Sequence, residues 1–147
     1  MNEAPMIICY DDSEDSRRAI EAAAELLPNR RAVVLDVGPV VTPEQAYASA
    51  AFAVPGFEEE NLADAAARAQ RGVDHALTHG IRATAKATVE APIWQGILDV
   101  ADQTDAAVIV IGSRGLDDLG EQLKGSLSHQ LVQHSRRPVL VAPPAKR

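Results

Sequence analysis

The chain has 147 residues, 46% hydrophobic and 24% charged, enough for one domain with a real core. Aromatic residues make up only 3%, which excludes extended stacking on bases as a recognition device, and the net charge of −7 argues against nucleic acid and anionic membranes as partners. The single cysteine, Cys9, cannot form an internal disulfide, no stretch approaches the length of a membrane span, and MNEAPMIICY lacks the basic region and apolar run of a signal peptide, so a cytoplasmic location is expected.

In chain order, Met6 to Tyr10 reads as a short buried strand ending at Asp11 and Asp12. A helix over Ser13 to Leu27 follows, with Ile20, Ala23, Ala24 and Leu27 at helical spacing and Asp12 expected as its N-cap. Pro28–Asn29 stops it, and Ala32 to Val37 is a second strand. Thr42-Pro43-Glu44-Gln45 has the form of a capping box with proline at the first helical position, so a short helix is expected to about Ala51. Pro55–Gly56 breaks it. Leu62, Ala66, Ala69, Val73 and Leu77 support a long helix from about Glu58 to His79, with Gly80 just past its end. Ile81 to Val89 alternates apolar with polar residues, as an edge strand does. Pro92 opens a helix to about Gln103, and a buried strand spans 106–111. A glycine-bearing loop leads to a helix over 126–134 and a last apolar strand, Val139 to Ala142. Strands alternating with helices define one α/β domain over residues 1–147, doubly wound around a mainly parallel sheet.

Ligands of such sheets bind beyond the carboxyl ends of the strands, where the winding reverses. Two strand ends carry signals: Asp11–Asp12, and the glycines Gly112 and Gly115. Gly112 is suited to a sharp turn out of its strand, and Gly115 to close backbone approach by a ligand. Gly125 and Ser126 head the next helix, where backbone N–H groups and a hydroxyl suit a phosphate. Asp11 is placed to accept from a ribose hydroxyl. Arg114 either reaches phosphate or pairs with Asp117 or Asp118.

The spacing Gly112-x2-Gly115-x9-Gly125-Ser126 resembles the signature of the universal stress protein family. The resemblance covers nearly the whole chain, including IICYDDSEDSRRAIEAA, AVVLDV, VIVIGSRG and GSLSHQLVQHSRRPVLV. It implies a Rossmann-like, adenine nucleotide α-hydrolase-like fold with five parallel strands ordered 3-2-1-4-5. It also implies ATP, with or without Mg²⁺, as cofactor. Adenine and ribose would lie near Asp11 and Val37, and phosphates on the Gly112–Gly115 loop with Gly125, Ser126 and Leu127. Dimerisation through Val139 to Ala142 is a further implication. The chain departs from the family at Asp12, where glycine or an apolar residue is frequent, and at Asp117, Asp118 and Glu121, where basic and glycine residues are frequent. Three readings of the acidic segment stand: a divalent cation bridges it to phosphate, it points outward, or ATP affinity is lost.

No Walker lysine, general base or arginine finger is identifiable, so no catalytic residues are assigned and at most slow ATP hydrolysis is expected. The principal reading is an ATP-binding regulatory protein of the stress response, acting as a nucleotide-gated dimer. The alternative is a dimeric interaction module of the same family that binds no nucleotide. A PP-loop pyrophosphatase of the related α-hydrolase group expects an SGGxDS-like loop, and YDDSEDS lacks its glycines. His75 and His79 share a helix face, but no third ligand stands at suitable spacing, and no metal site is assigned. Cys9 reads as a small core residue and Trp94 as packing.

Overall fold

The computed structural model describes residues 3–52, 56–113 and 127–144. Its elements follow one another as β1 (Met6–Cys9), α1 (Glu14–Leu26), β2 (Ala32–Gly38), α2 (Pro43–Phe52), α3 (Glu58–Thr78), β3 (Ala83–Val89), α4 (Ile93–Thr104), β4 (Val108–Gly112), α5 (Leu127–His134) and β5 (Val139–Ala142). The five strands form one parallel sheet in the order β3-β2-β1-β4-β5, so β1 and β4 lie side by side as the family resemblance implies. The alternating strand β3 is indeed at an edge, and β5 is at the other.

Strand alternation divides the core between the two faces of the sheet. Met6, Ile8 and Tyr10 pack with Ala19, Ile20, Ala23, Val73 and Ala76 of α1 and α3. Ile7 and Cys9 point the other way and pack with Ile97, Val100, Ala101 and Leu131 of α4 and α5. Cys9 is a buried core residue, and Trp94 packs at the same layer while stacking on His134 at a centroid distance of 4.3 Å.

Local signals were mostly where the chain advertises them. Thr42 and Gln45 form a reciprocal capping box: Gln45 N donates to Thr42 Oγ1 at 3.1 Å and Thr42 N to Gln45 Oε1 at 2.9 Å. Gly80 follows the C-cap His79 with φ +81°. Two expectations change. The N-cap of α1 is Ser13, whose hydroxyl accepts from Ser16 N at 3.0 Å, because Asp12 has left extended geometry for φ +69°. On α3 the buried face runs through Asn61, Ala65, Ala69, Gly72, Val73 and Ala76, while Leu62 and Leu77 are exposed. Small residues win that face because the helix rides close to the sheet. A Cβ on Gly72 would lie 2.6 Å from Val34 Cγ1 and 2.8 Å from the Tyr10 ring.

Candidate site at the carboxyl ends of β1, β2 and β4

The winding reverses between β1 and β4: the chain leaves β1 toward β2 and β3, then crosses back to β4 and β5. At that point a cavity of about 310 Å³ opens, at the lower end of the ~300–1,000 Å³ usual for small-molecule sites. Leu35, Ile93, Ile97 and Ile111 give it apolar walls, and Asp11, Val37, Gly112 and Leu127 stand on its lining. The fold thus brings together four of the eight expected nucleotide-binding residues. The other four, Arg114, Gly115, Gly125 and Ser126, lie outside the described residues, as does the acidic 117–121 segment.

Asp11 is held by its own turn. Its Oδ1 accepts from Ser13 N at 2.9 Å, and its backbone N donates to Ser16 Oγ at 3.3 Å. Oδ2 makes no hydrogen bond among the described residues, which leaves a spare acceptor on a residue that lines the cavity.

Val37 matters through its backbone. Along β2 the peptide groups alternate between neighbours: Ala32 N takes Arg82 O and Gly38 O takes Glu90 N on the β3 side, whereas Leu35 O takes Tyr10 N on the β1 side. Val37 therefore points its N–H and C=O toward β1. The β1–β2 pairing stops at Cys9 and Leu35, two residues earlier. This leaves a donor and an acceptor in one plane, unladdered, facing the cavity.

Gly112 plays a different part from the one its motif suggests. It ends β4 in extended pairing with Ala142 and takes no left-handed φ. A Cβ there would sit 2.6 Å from the Asp15 carbonyl oxygen, so its glycine lets the first turn of α1 dock on β4. At the loop entrance, the buried Ser113 Oγ has no hydrogen-bond partner among the described residues.

Two ion pairs that sequence reading missed clamp α3 to the strand ends. Arg68 grips Asp36 with two bonds, Nε to Oδ2 at 2.7 Å and Nη2 to Oδ1 at 3.2 Å, and both residues line the cavity. Burial pushes the Asp36 carboxyl up, and the Arg68 guanidinium offsets part of that. Arg71 donates to Asp12 Oδ2 at 2.6 and 2.9 Å and holds that carboxyl below its ordinary value. The departure at Asp12 is thereby explained: its left-handed φ is where glycine is easiest, and its charge is spent on α3. Asn61, also missed, donates to the carbonyls of Pro39 and Val40 and ties the segment after β2 to α3. The available signal was a lone Asp in the apolar run AVVLDV and lone arginines among alanines in AAARAQRG. Burial and the two nearby carboxylates also push the Cys9 thiol up.

A doubly wound α/β domain with its cavity at the switch point and a signature glycine at the edge of that cavity defines the protein's class. The particular family follows from comparison: the universal stress protein family model matches residues 4–143, and the chain belongs to that family. It is 27% identical over 143 residues to the universal stress protein YxiE of Bacillus subtilis, covering 92% of this chain and 96% of that one. Its fold is similar to that of an Archaeoglobus fulgidus universal stress protein in complex with dAMP, with TM-score 0.66, 22% identity, and 96% and 98% of the two chains covered. A universal stress protein in complex with cAMP superposes with TM-score 0.68 at 21% identity, covering 95% and 97%. No helix among the described residues is long and apolar enough to cross a membrane.

Proposed function

We propose that this chain is an adenine-nucleotide-binding regulatory protein, with ATP as the nucleotide. The observation that carries the proposal is the apolar-walled cavity whose lining includes Asp11, with its Oδ2 unbonded among the described residues, and Val37, whose peptide lies beyond the end of the β1–β2 pairing. A flat base fits between Leu35, Ile97 and Ile111, and its edge, with one donor and one acceptor, complements Val37 N–H and C=O. Asp11 then accepts from the ribose. The phosphates leave the cavity past Gly112 and Leu127, and the signature residues Gly115, Gly125 and Ser126, with Arg114, are the ones proposed to receive them. Mg²⁺, where it takes part, would offset the repulsion between the phosphate charge and acidic residues such as Asp117, Asp118 and Glu121. The two nucleotide-bound relatives lend support, since cAMP and dAMP share the adenosine-type half that the cavity would hold.

Regulation in this reading is a population shift: bound nucleotide changes the affinity of the chain for itself or for a partner protein. The free edge strand Val139–Ala142, with Val141 exposed, is the surface proposed for pairing two copies. No acid, base or nucleophile is assigned to the site, and binding rather than turnover is the proposed role.

Isothermal titration of the full chain with ATP and Mg²⁺ is the test. Saturable binding supports the proposal, and none at millimolar ATP sinks it. The acidic segment favours a second reading, an interaction module that binds no nucleotide. Gly115→Ala separates the two: ATP binding lost from a stable protein supports the first, and no change in any ligand response supports the second.

A further inference from the structure

The two histidines that share a face of α3 acquire a third neighbour from α1. Glu21 lies 54 residues before His75 in the chain, and its Oε2 is 3.2 Å from His75 Nε2. One ligand atom each from Glu21, His75 and His79 falls within 4.8 Å of the others. We propose that these three side chains form a site for a divalent transition-metal ion of the zinc type, spanning α1 and α3.

The geometry needs little adjustment. Bonds of about 2.0–2.1 Å in a tetrahedral zinc site put ligand atoms roughly 3.3 Å apart. Glu21 and His75 already meet that spacing. Only His79 must approach, and it is free to do so: it is exposed and stands at the C-cap of α3. Its ring centroid is 4.7 Å from that of His75. The backbone beneath is fixed, since Ala76 and Val73 bury the opposite side of this turn against the sheet.

The carboxylate is also oriented as a metal ligand would be. Arg18 Nη1 donates to Glu21 Oε1 at 3.2 Å, which fixes the group from behind and leaves Oε2 toward the histidines. Two imidazoles and one carboxylate select zinc, nickel or cobalt over magnesium and calcium, which take oxygen. The remaining positions on the ion go to water, because the cluster lies at the surface. Bound metal would join α1 to α3, the helix that carries Arg68 and Arg71.

The test is a calorimetric titration of the full chain with Zn²⁺ at neutral pH, without nucleotide, so that it is independent of the ATP proposal. One equivalent is expected, weakened at least about tenfold by each of His75→Gln, His79→Gln and Glu21→Gln. His129→Gln and His134→Gln should leave it unchanged. Zn²⁺ should also raise the thermal midpoint of the wild type but not of His79→Gln, and the metal-free midpoints report that the variants fold. Absent saturable binding, or equal binding by a His75→Gln/His79→Gln double variant, overturns the site. Unchanged affinity in Glu21→Gln overturns the α1–α3 bridge.

Discussion

Arg68 on α3 holds both carboxylate oxygens of Asp36 at the end of β2, at 2.7 and 3.2 Å. Asp36 is only 3% exposed, whereas Arg68 keeps part of its side chain in water. Removing the arginine therefore strands a buried charge, while removing the aspartate leaves a cation that can rehydrate. Arg68→Ala is expected to cost about 2–4 kcal/mol, below the top of the range for broken buried pairs because of that partial exposure. Arg68→Ala/Asp36→Asn should recover at least half of the loss in urea unfolding at neutral pH. The sign with pH is definite. Burial raises the Asp36 carboxyl, so its neutral form is favoured by folding, and the Arg68→Ala deficit should shrink as pH falls through that raised value. A deficit that is constant or grows on acidification contradicts the assignment.

Asp12 and Arg71 give the opposite pH sign. The guanidinium lowers the Asp12 carboxyl, so the stabilisation is complete above the ordinary carboxylate value and is lost as pH falls through the lowered one. Asp12→Asn keeps a residue that tolerates the left-handed φ of +69° and removes only the charge. Wild type should exceed Asp12→Asn in stability by a small margin at pH 7, and the two curves should converge in strong acid. The pair is solvent-exposed, so high salt should close the gap as well.

Gly72 tests how closely α3 rides on the sheet. Glycine to alanine within an exposed helix gains about 0.8–1 kcal/mol. Here the new methyl would meet Val34 and the Tyr10 ring at 2.6–2.8 Å. Overpacking reverses the sign, and Gly72→Ala should destabilise by about 1–3 kcal/mol in thermal or urea unfolding. A stabilised variant would show that the helix has room to lift away.

These three sites also mark what the sequence made legible. Strand positions, helix order and the edge character of Ile81–Val89 follow from short-range pattern, and the fold reproduces them. The capping box at Thr42 is equally local, which is why it reads correctly. The buried face of α3 is not legible from hydrophobicity, because leucine outweighs alanine in any hydrophobic count, yet close packing on a sheet selects alanine and glycine. Asp12 has the local look of a cap because its true partner, Arg71, stands 59 residues away. Asp36 and Arg68 were missed for the same reason, as was Glu21 beside His75. Of the expected cradle, Asp11, Val37, Gly112 and Leu127 do meet in one cavity, although Gly112 owes its glycine to Asp15 on α1. Side-chain pairs between distant elements are set by topology, and no periodicity encodes them.

Asp11 offers the sharpest test of the nucleotide proposal. Asn retains the Oδ1 acceptor that Ser13 N requires, so Asp11→Asn should leave stability within about 0.5 kcal/mol of wild type. It replaces the free Oδ2 with an amide donor and removes the charge that faces the ribose in the proposed complex. A hydrogen bond to a charged group contributes about 1.5–3 kcal/mol, so ATP affinity should fall at least about tenfold. Comparing ATP with dATP tells which ribose hydroxyl makes the contact. If Asp11 accepts from the 2′-hydroxyl, dATP binds wild type more weakly than ATP, and Asp11→Asn adds little further to that weakness. If it accepts from the 3′-hydroxyl instead, ATP and dATP lose affinity in parallel. Titrating both nucleotides against both proteins closes a double-mutant cycle across the contact. Unchanged ATP affinity in a folded Asp11→Asn protein would remove Asp11 from the site and leave the Val37 peptide as the recognition element at the strand ends.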